Sequence, residues 1–276
     1  MTPLDLLRAV GPALLALAAS FIVDRLCAAK GLLPPGFAVP WRRGAALALL
    51  AGVFWIGVFA PLGMLGLETE QDLSGLTVPR LFLLHGILVA TLLGWFLLGY
   101  WGTARADLGR LFVAQFGLLA PRPAREIGLG LVMGLAIWSL ALTVLMAMAL
   151  VILTFGGEDA LPKAPPALVP WIAALPWGIR LLVSLSAGAV EETFFRGFLQ
   201  PRAGLFLSTL LFALAHASYG QPLLLVGVTF LSVLYGALVR WRQSIWAAIA
   251  AHALFDAVQL LVIVPAALEL LGRQAR

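Results

Sequence analysis

The sequence predicts an all-α polytopic membrane protein, a transmembrane helical bundle of about eight helices. Hydrophobic residues make up 62% of the 276 residues, and the mean hydropathy is +1.02. Charged residues make up only 11%, whereas a soluble domain carries about 25%. The surface of such a bundle must face apolar surroundings, so the lipid bilayer is its first predicted partner.

Eight apolar runs approach the length of about 20 residues that a transmembrane helix needs. They are Ala9–Ala29, Gly44–Leu67, Leu81–Gly102, Ile127–Phe155, Pro176–Gln200, Ala203–Ala217, Pro222–Val239 and Ser244–Leu261. The first run is interpreted as a retained helix and not as a signal peptide. Its apolar residues continue to Val23, beyond the small-residue stretch, and Arg8 before it is offset by Asp5.

Lysine and arginine lie mainly in the loops after spans one, three, five and seven. These residues are Arg25, Lys30, Arg42, Arg43, Arg105, Arg110, Arg122, Arg125, Arg196, Arg202, Arg240 and Arg242. The opposite side holds Arg8, Arg80, Lys163, Arg273 and Arg276, with an acidic loop of Glu68, Glu70 and Asp72. By the positive-inside rule, both termini are predicted outside the cytoplasm, in a bacterial inner membrane. The net charge of +5 reflects this orientation, and no nucleic-acid partner is predicted.

The Gly- and Pro-rich segment 156–170 is predicted to connect two halves of the chain. Residues 1–155 are expected to anchor the protein in the membrane, and residues 171–276 to form a core of four helices. The segment Asp107–Leu119 is expected to lie along the interface as an amphipathic helix. Tryptophans near span ends predict an interfacial belt: Trp41, Trp95, Trp101, Trp171, Trp177 and Trp241.

Ionisable residues interrupt the four spans of the second half. They are Glu191, Glu192, Arg196, His216, His252 and Asp256. A charge near the centre of a transmembrane helix costs about 2.5–3.5 kcal/mol, so these groups need partners or a wet cavity. Glu192 and Arg196 are four residues apart with the acid first, the favourable order for an ion pair. Glu191 points about 100° away around the helix and is left without the arginine.

Four of these side chains are predicted to reach one depth in the membrane. Glu191, His216, His252 and Asp256 lie 10 to 14 residues from the arginines at the spans' shared ends, Arg202 and Arg242. At about 1.5 Å per residue they are roughly 15–21 Å deep, near the middle of a bilayer core of ~30 Å. Convergence at one depth predicts a shared site.

The residue types restrict the chemistry of that site. The single cysteine, Cys27, lies in the other half, and Ser218 is not framed by a Gly-x-Ser-x-Gly elbow. The His-Glu-x-x-His motif of helix-borne zinc sites is absent from the sequence. What remains is a carboxylate and a histidine that activate water, with a His/Asp pair to stabilise an oxyanion. His85 has no motif around it and is predicted to be structural, and Arg180 is predicted to snorkel outward.

Three motifs in this half resemble those of the CAAX-processing and bacteriocin-processing (CPBP, or Abi) intramembrane proteases, also called type II CAAX prenyl endopeptidases. Glu191–Gly197 is similar to their Glu-Glu-x-x-x-Arg motif, and Phe212–His216 to Phe-x-x-x-His. His252–Asp256 is similar to His-x-x-x-Asn or Asp. All three occur in order within Pro176–Leu261, about a third of the chain.

The resemblance implies a metal-independent, cofactor-free intramembrane glutamic endopeptidase. Glu191 and His216 would polarise the attacking water, and His252 and Asp256 would stabilise the oxyanion. Glu192 and Arg196 would hold the site together, with Phe212 in support. The implied substrate is a membrane-associated protein or peptide cut near its C terminus, either a prenylated CAAX protein or a bacterial C-terminal sorting signal.

Asp256 stands where eukaryotic members have asparagine, so it acts either as a neutral hydrogen-bond donor or as an anion that orients His252. Three alternatives stay open for the whole protein. They are a non-catalytic immunity or scaffold protein, a transporter with a buried proton or ion site, and a metalloprotease whose ligands are the four mid-depth residues. The sequence predicts no oligomeric state.

Overall fold

The computed structural model describes residues 3–63, 73, 75–162 and 164–274, and their regular structure is entirely helical. The predicted all-α bundle is therefore confirmed. The α-helices are α1 Pro3–Ala29, α2 Pro40–Phe54, α3 Ala60–Gly63, α4 Val78–Leu81, α5 Leu83–Gly99, α6 Arg105–Gln115, α7 Pro123–Gly156, α8 Leu168–Ala173, α9 Trp177–Glu192, α10 Gln200–Ala215, α11 Pro222–Arg242, α12 Trp246–Val258 and α13 Val264–Gln274. Three π-helical segments join consecutive α-helices: Trp55–Phe59, Thr193–Leu199 and Gln259–Ile263.

Within the described residues, six helical stretches are long and apolar enough to cross a membrane. They are Arg8–Ala29, Pro40–Leu62, Pro123–Gly156, Trp177–Tyr219, Pro222–Arg242 and Trp246–Leu270, and α5 is a shorter apolar helix. The stretch Trp177–Tyr219 contains predicted spans five and six. Its backbone leaves the helical region at Gly204, which has φ 87° and ψ 166°.

Gly204 turns this stretch back on itself as a helical hairpin. The Ser208 hydroxyl donates a hydrogen bond of 2.6 Å to the Phe195 carbonyl, 13 residues earlier. In one straight helix these residues would be about 20 Å apart. A positive φ is easily adopted by glycine, which has no Cβ, so the hairpin turns at this position. Spans five and six are therefore two antiparallel segments.

Several sequence predictions fall on positions outside the described residues. The predicted end of span two at 64–67, the acidic residues Glu68, Glu70 and Asp72, and the cations Lys163 and Arg276 lie outside them.

Large apolar side chains cover the outside of the bundle, as lipid solvation requires. Val132, Met146 and Phe155 on α7 are 66%, 64% and 87% exposed. Inside, one aromatic-rich core joins the two halves of the chain, and Phe54 meets Phe194 edge-on at 6.3 Å. The anchoring half and the second half are thus packed together, while the predicted boundary at 156–170 stays a prediction.

The predicted tryptophan belt stays a prediction for four positions and is wrong for a fifth. Trp41, Trp101, Trp177 and Trp241 are exposed. Trp95 is buried, with edge-on contacts to Phe37 at 5.3 Å and Phe198 at 5.0 Å. The prediction for Trp95 is wrong because position along a span does not reveal which face of the helix meets protein.

Small residues bring α7 and α9 close to α12. A Cβ at Gly134 of α7 would lie 2.9 Å from the Ala251 Cα, and one at Gly188 of α9 would lie 2.7 Å from the Ile249 carbonyl oxygen. Small side chains let backbones approach within a membrane, where helix association depends on van der Waals packing. This packing places the end of α9, with Glu191, against the middle of α12, with His252.

The loops after spans one, three, five and seven meet at one end of the bundle, here called the basic end. The contacts that join this end are Lys30 with the Pro201 carbonyl (3.0 Å), Arg202 with Gln115 (2.6 Å), Ile245 with Gly117 (3.1 Å) and Arg242 with Glu126 (2.7 Å). The structure thus groups the four loops that the sequence assigned to one side, but the assignment of Arg196 to a loop is wrong, because its side chain is 1% exposed and pairs with buried Glu192. Which compartment this end faces stays a prediction.

Candidate active site

The hairpin of α9 and α10 supplies three of the predicted site residues. Glu191 and Glu192 end α9, and His216 directly follows α10. The π-helical segment Thr193–Leu199 has a wider turn than an α-helix, as at many functional sites. Beyond His216 the chain makes a short 3₁₀ turn, Ala217–Tyr219, and leaves the site through Gly220.

Glu192 is the centre of a fully buried ion-pair network. One oxygen, Oε1, forms an ion pair with Arg196 Nη1 at 3.1 Å and accepts a hydrogen bond from His252 Nδ1 at 2.8 Å. Glu192 is 0% exposed and Arg196 is 1% exposed. The Arg196 guanidinium also lies 4.2 Å from the centroid of the Phe212 ring, a cation–π distance. The predicted Glu192–Arg196 pair is present, and Glu192 also binds His252 of the His252–Asp256 motif.

His252 and Asp256 face each other on the cavity side of this network. The His252 Nδ1 must donate to the Glu192 carboxylate, which only accepts when ionised. That leaves Nε2 to face the Asp256 Oδ2 at 3.5 Å. The ring is held by Tyr235, which stacks on it at 5.3 Å with an interplanar angle of 16°. A proton on either His252 Nε2 or the Asp256 carboxyl group would give the cavity a hydrogen-bond donor.

Glu191 has a histidine neighbour from the first half of the chain. The His85 Nε2 lies 3.5 Å from the Glu191 Oε1. The Ser186 hydroxyl donates to the Val183 carbonyl at 3.0 Å, so it accepts from the His85 Nδ1 at 3.1 Å. The ring is thereby oriented with Nε2 toward Glu191, and in the imidazolium form, in which both ring nitrogens donate, Nε2 donates to the Glu191 carboxylate.

The hydrogen bonding of His216 fixes its tautomer. Its Nδ1 lies 2.8 Å from the Phe212 carbonyl oxygen, which can only accept, so Nδ1 carries a proton. In the neutral ring, Nε2 is then the acceptor. The ring lies on Phe212 with centroids 4.6 Å apart, which restricts its rotation. His216 is thus built to accept a proton through Nε2.

All four predicted mid-depth residues line one cavity of about 400 Å³. Glu191, His216, His252 and Asp256 share it with His85, Tyr219 and Tyr235. The remaining walls are mostly apolar, as in most small-molecule and peptide sites. The structure thus places the four side chains on one cavity, while their common depth in the membrane and their roles in a reaction stay predictions.

Sequence reasoning missed three polar residues of the cavity: His85, Tyr219 and Tyr235. A signal for His85 was present, because the chain has only three histidines and a histidine inside an apolar span indicates function. The two tyrosines have no such signal, since a tyrosine at a span end is typical of the interface.

Arg180 is turned toward the neighbouring helix. Its Nη1 donates at 2.9 Å to the carbonyl of Leu260, within the π-helical segment Gln259–Ile263. The predicted outward snorkelling is therefore wrong. A π-helical turn disturbs the regular backbone ladder and leaves a carbonyl for a side chain to bind, which fits this contact.

Among the residues that the structure describes, no group of three or more His, Cys, Asp or Glu side chains has the arrangement of a metal site. This geometry does not test whether activity needs a metal, so metal-independent activity stays a prediction.

Known proteins resemble this chain in the segment that builds the cavity. Residues 173–258 match the family described as type II CAAX prenyl endopeptidase Rce1-like. The resemblance of this segment to that family is confirmed. The Rce1-like segment contains all three motifs and omits His85, which lies on α5.

One curated relative extends the comparison. The chain is 35% identical over 79 residues to the uncharacterized protein YpbD of Bacillus subtilis (strain 168). The match covers 28% of this chain and 42% of the relative, so less than half of that relative's length is spanned. No solved structure matches the chain. The Rce1-like segment supports a CAAX-type intramembrane protease as the general class.

Proposed function

We propose that this chain is an intramembrane glutamic endopeptidase that cleaves a membrane-associated protein or peptide near its C terminus. The observation that carries the proposal is the position of Glu191 and His216 on one cavity, with His216 Nε2 as an acceptor. A carboxylate beside a neutral imidazole is an arrangement that activates water as a nucleophile.

The reaction begins with a water molecule bound between Glu191 and the His216 ring. Glu191 takes one proton from this water, and the oxygen attacks the carbonyl carbon of the scissile peptide bond. His85 keeps the Glu191 carboxylate in place through the contact of 3.5 Å.

The negative charge of the tetrahedral intermediate develops on the former carbonyl oxygen. A proton on His252 Nε2 or on Asp256, which face each other at 3.5 Å, donates to this oxygen, and a donor held in place before reaction stabilises such an oxyanion. The carbon–nitrogen bond then breaks as the proton held by Glu191 moves to the leaving amine. The products are a new carboxyl terminus and a new amino terminus.

Proteomics of C-terminal peptides tests this function in cells that express the wild type, Glu191→Gln, His216→Ala or Glu158→Gln at equal levels. Glu158 lies in the exposed loop after α7 and is the matched control. Loss of a general base lowers the rate by about 10²–10⁴-fold. We expect peptides that depend on the wild type and on Glu158→Gln but vanish with Glu191→Gln or His216→Ala.

Identical C-terminal peptides with the wild type and Glu191→Gln would refute proteolysis. That result would favour the non-catalytic immunity or scaffold role, in which the motif residues serve only the structure.

A second candidate, a transporter with a buried proton site, is favoured by one observation. A second cavity of about 340 Å³ enters from the basic end past Lys30 and Arg240 and reaches Arg196. Arg196 lines this second cavity and Phe212 lines the first, and the guanidinium lies 4.2 Å from the centroid of the Phe212 ring. Proteoliposomes with an internal pH dye decide between the candidates, because a proton flux that disappears with Glu191→Gln would favour transport.

A further inference from the structure

The second cavity, at the basic end, is lined by cations and carries an excess of positive charge. Lys30, Arg196 and Arg240 all line its volume of about 340 Å³, and none of its described lining residues is an aspartate or a glutamate. Arg196 is paired with Glu192, which does not line this cavity. Lys30 and Arg240 form no ion pair with a described residue. A cleft lined by charge of one sign concentrates ions of the other sign, so this cavity favours an anion.

The lining of this cavity includes both surface and interior residues. Lys30 and Arg240 are exposed, whereas Arg196 and Gln200 are 1% and 7% exposed. The cavity therefore connects the surface of the bundle with the buried ion-pair network. A ligand that enters it meets flexible cations first and fixed polar groups at the inner wall.

Several polar atoms of the lining are able to bind such a ligand. Arg196 Nη1 and Gln200 Oε1 are buried without a hydrogen-bond partner among the described residues. The Lys30 ammonium donates to the Pro201 carbonyl at 3.0 Å and has two further hydrogens. Phosphate oxygens accept hydrogen bonds from cations of this kind, and a headgroup hydroxyl donates to an amide oxygen. The lining thus suits a phosphate ester that also carries a hydroxyl group.

An apolar surface begins beside the cavity. Leu205 lines the cavity, and the next residue, Phe206, is 83% exposed. Leu210, four residues further and so on the same face of α10 as Phe206, is 41% exposed. Trp241, directly after Arg240, is 60% exposed, as is typical of a residue at the level of the lipid headgroups. The site therefore suits an amphiphile with a charged head and an apolar tail.

We infer that the second cavity binds the headgroup of an anionic phospholipid. The phosphate lies among Lys30, Arg196 and Arg240, and an acyl chain lies along Phe206 and Leu210. The acyl chain distinguishes this ligand from free phosphate, which has the same charge and no apolar part to pack on α10. The inference does not depend on the proposed proteolysis, and it gives the second cavity a function other than proton transport.

Lipid retention by the purified protein tests this site. The immobilised protein is titrated in detergent with dioleoylphosphatidylglycerol or dioleoylphosphatidylcholine, washed and eluted, and the retained lipid is quantified by mass spectrometry. The test variant is Lys30→Gln with Arg240→Gln. The matched control is Arg25→Gln with Arg125→Gln, which removes two exposed cations of the basic end that do not line the cavity.

The wild type and the control should bind phosphatidylglycerol at least about tenfold more tightly than phosphatidylcholine, because hydrogen bonds to a charged group add to the affinity. The test variant should lose most of this preference. Arg240→Gln alone should lose part of it, which keeps the test valid if the double variant fails to accumulate. Equal affinity of the wild type for both lipids, or equal affinities for phosphatidylglycerol in the test variant and the control, would overturn the inference.

A second comparison separates a lipid from a free anion. Phe206→Ala should weaken the binding of phosphatidylglycerol, whereas Phe155→Ala, which removes a similarly exposed ring on α7, should not. Inorganic phosphate in large excess should leave most of the lipid bound. Complete displacement by inorganic phosphate, or unchanged binding in Phe206→Ala, would assign the cavity to a free anion and overturn the lipid.

Discussion

Replacement of Arg196 by alanine should destabilise the protein more than any change to Glu191. Arg196 is 1% exposed, and its partner Glu192 is 0% exposed at 3.1 Å. Removal of one partner of a buried ion pair costs about 3–5 kcal/mol, because the other charge stays buried. His252 still donates to Glu192 at 2.8 Å, which places the expected loss near the lower value, about 3 kcal/mol.

The thermal midpoint gives the measurement. One kcal/mol shifts the Tm of a protein of this size by about 2–4 °C, so Arg196→Ala should lower Tm by roughly 6–12 °C. The Glu191 side chain should contribute less to stability, since it is 16% exposed and its neighbour is His85 at 3.5 Å. Glu191→Ala should cost below about 1 kcal/mol, the usual range for a contact without a buried unpaired charge.

Both variants are compared in one detergent by intrinsic tryptophan fluorescence at a single scan rate, because midpoints of irreversible unfolding depend on the rate. The double variant Glu192→Gln with Arg196→Met is the control. It removes both charges together and should recover part of the loss. A lower Tm for Glu191→Ala than for Arg196→Ala would show that the structural and catalytic glutamates are assigned the wrong way round.

Three further outcomes follow from the site. Asp256→Asn should keep substantial kcat/KM between pH 6 and 9 and extend activity to higher pH, because an amide retains its protons. Asp256→Ala should lose most activity, and an inactive, well-folded Asn variant would mean that an anion at this position orients His252. His85→Phe should lower kcat about 10- to 100-fold with little change in KM, which is the effect of one lost hydrogen bond to a charged group. A kcat equal to that of the wild type would show that the role of His85 is structural. Activity in detergent should survive EDTA and 1,10-phenanthroline, and loss that zinc restores would establish a metalloprotease.

The location of the site was largely predictable. Glu191, His216, His252 and Asp256 are charged or polar residues in apolar spans, and lipid cannot solvate them, so they had to converge. Their spacing from Arg202 and Arg242 predicted a common depth, and the structure places all four on one cavity. Helical periodicity also predicted the Glu192–Arg196 pair, because contacts four residues apart depend only on local geometry.

The sequence by itself determined the membrane environment, the helical class and the residues that meet at mid-depth, because each follows from local composition and from the period of an α-helix. Only the tertiary structure decided how α5 packs against α9, and therefore that His85 faces Glu191. It alone decided that Glu192 binds His252 across 60 residues of chain. Contacts between helices depend on which face each one turns inward. Within lipid that choice is made by shape, as at Gly134 and Gly188, and hydropathy does not encode it.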